Sequence, residues 1–321
     1  MDDLVEHSRA VIERGSKSFA AAARLFDPQT RSGAYLLYAW CRHCDDRTDD
    51  QELGFDGGRL APSEARARLA ELEEQTRSAL RGETTADPVF AGLAAVVRRH
   101  EIPERHPLEH LAGFRMDVEG RTYRTLDDTL EYCYHVAGVV GVMMAHIMGV
   151  RDEPTLDRAA DLGIAFQLTN ICRDAVEDAR NGRVYLPAEL LAAAGVPADA
   201  LAAPEQRDGL AAVVRRILAE ADRYYASARL GISRLPFRSA WAVAAARAVY
   251  RDIGRLLLDR GAGAWNTRAA TGRGRKLALV LLAGGAAAAA TRLGKGRESA
   301  PRDGLWTRPA APSFEKVARP F

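Results

Sequence analysis

The sequence is poor in the features that define several large protein classes. Four cysteines among 321 residues are too few for a disulfide framework, so they are read as reduced thiols in a protein held together by its core. The most apolar stretch, 277–290, is Ala-rich, broken by Gly284-Gly285 and too short to span a bilayer. The N-terminus has no basic region followed by an apolar run, and no secretory signal is expected. A formal net charge of only +2 excludes a generic nucleic-acid binder. There is no GxGxxG, Walker lysine loop or HExxH, so nucleotide-binding folds and common zinc sites have no support. Sustained period-2 alternation is missing too, which argues against a sheet. A soluble, cytoplasmic, all-α protein remains.

Helical periodicity predicts helices near 2–14, 31–50, 63–81, 87–100, 104–118, 126–148, 153–180, 205–230, 237–260 and 273–291. Asp27-Pro28, Asp87-Pro88, Gly182 and Leu235-Pro236 punctuate them. Thr125-Leu126-Asp127-Asp128 reads as a capping box, so its two aspartates mark a helix start and not a metal site. Residues 1–291 are expected to form one all-α domain. Residues 292–321, rich in Pro, Arg and Gly, are expected to be a disordered tail. Residues 291–321 carry seven Lys/Arg against three Asp/Glu. That surplus suits an anionic membrane surface, although a solvated end is the blander reading and is preferred.

Two aspartate clusters carry the chemistry: Cys44-Asp45-Asp46-Arg47-Thr48-Asp49-Asp50 and Arg173-Asp174-Ala175-Val176-Glu177-Asp178. Each holds two aspartates at i and i+4, on one helix face and about 6 Å apart along the axis. Such like charges repel unless a cation lies between them. Two such faces opposed would form a hard-oxygen cage for Mg²⁺, which completes its shell from substrate phosphates and water. Tyr38, Arg42, Asp45 and Asp49 share one face, as do Gln167, Asn170, Asp174 and Asp178. Apolar residues surround the second stripe, so it implies a polar cavity inside a core. Arg42 and Arg173 add guanidinium forks suited to phosphate.

The bland alternative is a pair of solvated acidic faces, and Asp46, Asp50 and Glu177 are read that way. Repetition of the pattern beside Arg, Asn and Gln favours a site. Tyr134, Gly138, Gly141 and Ala145 form a small-residue face, for which close helix packing is the stronger reading from spacing alone. Cys41-Arg42-His43-Cys44 resembles a zinc CxxC but lacks a second ligand pair.

With these motifs in order, the chain resembles the squalene/phytoene synthase family, and within it the bacterial phytoene synthases. The resemblance runs from about Gly15 to about Lys276. It rests on Gly15-Ser16-Lys17-Ser18-Phe19, the Tyr38 to Asp46 segment, the Tyr132 to Gly141 segment, and Gln167 to Asp174 continuing to Arg183-Val184-Tyr185-Leu186-Pro187. It implies an isoprenoid-synthase-type helical bundle around a central cavity. Asp45 and Asp49 would then bind Mg²⁺, or Mn²⁺, from one wall, and Asp174 and Asp178 from the other, with Asn170 among the ligands. Arg42, Gln167, Asn170 and Arg173 would hold diphosphate and ordered water, with Arg183 and Tyr132 also binding substrate. Ser16, Lys17, Ser18 and Phe19 would form a flap, and Tyr38, Tyr185 and Tyr250 would sit near the reacting carbons. Gly138 and Gly141 would border the prenyl channel, which reverses the packing reading. Arg47-Thr48 and Ala175 depart from the aliphatic residues usual in the family, which puts helix packing and pocket shape in question.

The activity so implied is head-to-head condensation of two geranylgeranyl diphosphates to phytoene through a cyclopropyl diphosphate, in carotenoid biosynthesis and without a nicotinamide cofactor. A C30 enzyme using farnesyl diphosphate is the nearer alternative, and a non-catalytic membrane scaffold the remoter one. Peripheral contact with the inner face of the cell membrane and association with other carotenoid-pathway enzymes are further expectations. Nucleic acid is not an expected partner.

Overall fold

The computed structural model describes residues 2–15, 17–49, 61–293 and 301–309, with the side chains of residues 2, 17, 18, 49 and 293 outside that description. Thirteen α-helices and no strand are found among the described residues. They are α1 (Asp2–Gly15), α2 (Lys17–Ala23), α3 (Pro28–Asp49), α4 (Pro62–Leu80), α5 (Pro88–His100), α6 (Arg105–Val118), α7 (Leu126–Cys133), α8 (Val139–Ile147), α9 (Glu153–Arg180), α10 (Ala188–Ala193), α11 (Arg207–Ile232), α12 (Phe237–Arg260) and α13 (Arg273–Leu293). The predicted all-α bundle is the observed fold. Nine of the ten expected helices appear with small boundary shifts, the tenth, 126–148, is divided into α7 and α8, and α2 and α10 are additional.

Local chemistry explains the helix starts. Asp27 caps α3, accepting from the Thr30 hydroxyl at 2.6 Å and from the backbone N–H groups of Gln29 and Thr30 at 3.0 Å. Those bonds, the Thr30 hydroxyl first, hold its carboxyl below the usual range. Asp87 and Asp152 cap α5 and α9 in the same way. The capping box at Thr125 is present, with the Asp128 carboxylate accepting from Thr125 N–H at 3.0 Å. Asp127-Asp128 therefore starts a helix, as expected.

Between α7 and α8 the chain takes one π turn, Tyr134–Gly138, where α9 passes very close. A Cβ on Gly163 of α9 would collide with the Ala137 carbonyl, and one on Gly141 would collide with the Ala159 carbonyl. The small-residue face thus serves close helix packing, with α8, α11 and α12 gathered around α9. The core falls into patches around α9 and α11, between α3 and α5, and where α1 and α2 meet α3 and α12.

Residues 301–309 lie in the segment expected to be disordered, yet they pack on the body. Asp161 is fully buried, and Arg302 reaches it with a two-pronged bond at 2.9 and 2.6 Å. Arg308 pairs with Asp157 at 2.6 Å and with Glu153, and Trp306 lies 5.2 Å from the Tyr134 ring. A buried carboxylate needs a cation, and this stretch supplies one. Cys44, Cys133 and Cys172 are buried free thiols and Cys41 is half-buried.

Candidate active site

A cavity of about 830 Å³ runs between α3, α9 and α12, towards the upper end of ordinary ligand pockets. Its chemistry is mixed. Charged residues including Arg42, Asp45, Asp174, Asp178 and Arg183 line it together with apolar residues such as Phe26, Leu37, Val140, Met144, Leu162 and Leu235.

The first polar wall is the C-terminal part of α3. Helical spacing sets Tyr38, Arg42 and Asp45 on the cavity. Arg42 pairs with Asp45 at 2.9 Å and Asp46 at 3.0 Å. Burial opposes its charge, but the two carboxylates outweigh that and raise its pKa. Asp46 was expected to be a surface group; its side chain is only 16% exposed and is tied to Arg42. Burial, reinforced by the aspartates, pushes the Tyr38 hydroxyl up to about 12. The two unusual residues here are benign. Arg47 turns outward to Glu71 at 2.9 Å, and buried Thr48 returns its hydroxyl to the Cys44 carbonyl at 3.0 Å. Asp49 ends α3, but its side chain lies outside the described residues, as do Ser16 and the side chains of Lys17 and Ser18.

The second wall is α9. Gln167, Asn170, Arg173, Asp174 and Asp178 all reach the cavity. Asn170 donates to Gln167 at 3.3 Å, while its Oδ1 is buried with no protein partner. Arg173 grips Asp174 at 2.9 and 2.5 Å. Asp178 is the strained group: burial first, then the negative charge of Asp174, raise its carboxyl to about 7 against the partial relief of Arg183. Gly182, at φ 75°, turns the chain back after α9 so that Arg183 and Tyr185 return to the same cavity.

Aromatic rings join the walls. Phe19 of α2 lies 6.2 Å from both Tyr38 and Tyr250, and Tyr250 stacks on Phe166 at 4.2 Å. Tyr132 stacks on Tyr185 at 4.8 Å. Both of their hydroxyls donate to one carboxylate, Asp117 of α6, at 3.0 Å. Asp117 was not anticipated. A signal was available, since His110, Phe114 and Asp117 share a helix face and all line the cavity. Arg268 was also missed; from the loop before α13 it reaches Asp174 at 3.2 Å, and no periodicity marks it.

Of the predicted residues, the structure brings Phe19, Tyr38, Arg42, Asp45, Tyr132, Gln167, Asn170, Arg173, Asp174, Asp178, Arg183, Tyr185 and Tyr250 to one cavity. Among the described residues, Gly138 is the exception. It is buried against Tyr134 and α9, where a Cβ would stand 2.9 Å from the Tyr134 ring; Gly141 does line the cavity.

Among the described residues, no three His, Cys, Asp or Glu side chains come together to hold a metal by themselves. The donors nevertheless suit a hard cation that shares its shell with phosphate. They are carboxylates from two helices that line one cavity, a buried amide oxygen without a protein partner, and a carboxyl raised by burial and by a neighbouring carboxylate.

The family model for squalene/phytoene synthase matches residues 12–275. The chain belongs to the squalene/phytoene synthase family. This is a prenyltransferase family acting on prenyl diphosphates. Over 254 residues the chain is 55% identical to a 15-cis-phytoene synthase of Enterobacter agglomerans, covering 79% of this chain and 86% of that one. It is 49% identical over 309 residues to a 15-cis-phytoene synthase of Paracoccus sp., covering 96% and 99%. Among solved structures, a ligand-bound dehydrosqualene synthase superposes with a TM-score of 0.79 at 26% identity, covering 88% of this chain and 95% of that one.

Proposed function

We propose that this chain joins two geranylgeranyl diphosphates head to head into phytoene with release of diphosphate, a step of carotenoid biosynthesis. The observation that carries it is one cavity lined by apolar residues together with aspartates and arginines from α3 and α9, in a chain about half identical to phytoene synthases along nearly its whole length.

Asp45 and Asp49 from α3 and Asn170, Asp174 and Asp178 from α9 would hold Mg²⁺ or Mn²⁺ together with substrate phosphate. Bound there, the cation would stabilise the charge that develops on a departing diphosphate. Arg42, Arg173, Arg183 and Arg268 line the same cavity as guanidinium forks suited to holding phosphate. Phe19, Tyr38, Phe166 and Tyr250 offer ring faces to an allylic cation and keep water from it. A proton lost by the substrate to the phenolic oxygen of Tyr132 or Tyr185 displaces that phenol's own proton onto Asp117, 3.0 Å away. No step calls for a nicotinamide cofactor.

The likeness to a dehydrosqualene synthase supports a second reading, a C30 condensation of farnesyl diphosphate. Incubating the purified protein with Mg²⁺ and either the C15 or the C20 diphosphate, then weighing the hydrocarbon by mass spectrometry, separates the two. Phytoene from the C20 substrate is expected. A C30 product alone would replace the reading, and no hydrocarbon from either would favour a scaffold role.

A further inference from the structure

Among the described residues, none covers the outer face of α13. Leu277, Leu281 and Leu282 are 61%, 62% and 72% exposed, and Ala278, Gly285, Ala286 and Ala289 continue the same exposed face. Their spacing is one helical stripe. The opposite face is occupied: Ala283 and Ala287 are buried, and the Trp241 indole of α12 donates to the Val280 carbonyl at 2.7 Å. A helix apolar on all sides is stable only when all sides are buried, so the outer face needs an apolar environment. Phe237, 45% exposed and 6.0 Å from Trp241, extends the apolar surface.

The charges around the stripe choose the partner. No charged residue interrupts α13 between Lys276 and Arg292, and the helix contains no Asp or Glu. Arg273 is exposed at its start and Arg292 at its end, whereas Arg275 is paired with buried Asp252 at 2.5 Å. Cations at a helix N-terminus oppose the helix dipole, whereas lipid phosphates beside them would satisfy both. A second copy of this chain fits poorly, because parallel or antiparallel pairing of two α13 helices sets cations against cations. Arg273–Arg292 is long and apolar enough to cross a membrane by length and composition, more than the apolar stretch alone predicted. Its packing on α12 instead suits a helix lying along the surface.

The geometry points to the outer face of α13, not the basic tail, as a docking surface for an anionic lipid bilayer. Leu277, Leu281 and Leu282 enter the acyl boundary while Arg273 and Arg292 meet headgroup phosphates. The choice of a bilayer draws on the lipidic substrate and product of the proposed function, but vesicle binding is read without turnover, so the two can fail separately. The experiment is co-sedimentation of the full chain with vesicles of mixed phosphatidylcholine and phosphatidylglycerol, and with phosphatidylcholine alone. The wild type is expected to sediment with the mixed vesicles and much less with the neutral ones. Leu281→Glu/Leu282→Glu should weaken binding at least about tenfold, with an unchanged circular dichroism spectrum. Arg273→Glu/Arg292→Glu, which leaves the apolar face intact, should abolish the preference for phosphatidylglycerol. A wild type that stays in the supernatant, or variants that bind as it does, overturns the assignment. So does a wild-type dimer by light scattering that the leucine variant dissociates, since the face would then be a self-interface.

Discussion

Asp178→Asn separates the stability of the metal-free protein from its function. The Asp178 carboxyl is moved from 3.8 to about 7 by burial and by the charge of Asp174, which corresponds to on the order of 4 kcal/mol. The sign follows from the direction. A carboxyl whose folded pKa lies above its unfolded value costs nothing while it is protonated in both states. The cost appears as pH rises past 3.8 and is complete above about 7. An amide of the same shape does not ionise. In EDTA at pH 8, Asp178→Asn should therefore be more stable than the wild type, by up to about 4 kcal/mol, and the difference should vanish near pH 4. Urea denaturation followed by circular dichroism at both pH values measures it. With Mg²⁺ and a prenyl diphosphate the order of function reverses, and the variant should lose turnover by well over about tenfold. A variant no more stable than the wild type at pH 8 would refute the picture of a frustrated carboxylate.

Other outcomes follow from other parts of the structure. Asp117→Asn removes the carboxylate that both Tyr132 and Tyr185 donate to, and steady-state kinetics should show kcat reduced by roughly 10² with a smaller change in KM. Gly163→Ala places a methyl against the Ala137 carbonyl and should cost about 1–3 kcal/mol by thermal melting. Gly285→Ala, with open space around it, should instead add about 0.5–1 kcal/mol. Arg302→Ala leaves fully buried Asp161 without its two-pronged partner and should lower stability by about 3–5 kcal/mol in the same melt.

Much of this architecture is legible in the sequence because it is built from long helices. Ten of them carry enough turns for the apolar stripe to declare itself, and Asp27, Asp87 and Thr125 mark starts with caps that the structure contains. The seven residues of α2 and six of α10 are too short for periodicity to register. The two aspartate stripes could be read because i, i+4 repulsion is a local property. Asp117 could not be identified so easily, since its meaning comes from two tyrosines on other elements. Gly138 illustrates the opposite case: spacing favoured packing, the family resemblance suggested the channel, and the close approach of α9 decided for packing. Arg302 and Arg308 were hidden because composition does not reveal that a buried aspartate on α9 awaits a cation. Nor does composition reveal that Asp46 folds inward onto Arg42.

The central claim is that acidic side chains on α3 and α9 act together on a cation-bound diphosphate. Thermal melting with Mg²⁺ and a non-reactive prenyl diphosphate analogue, alone and combined, tests it directly, using wild type, Asp45→Asn and Asp174→Asn. At a hundredfold excess over Kd, binding stabilises the fold by about 2.7 kcal/mol, a rise of several degrees. The wild type should show that rise only when both ligands are present, and each variant should lose most of it. A full rise in EDTA, or one that survives removal of either carboxylate, would contradict the account.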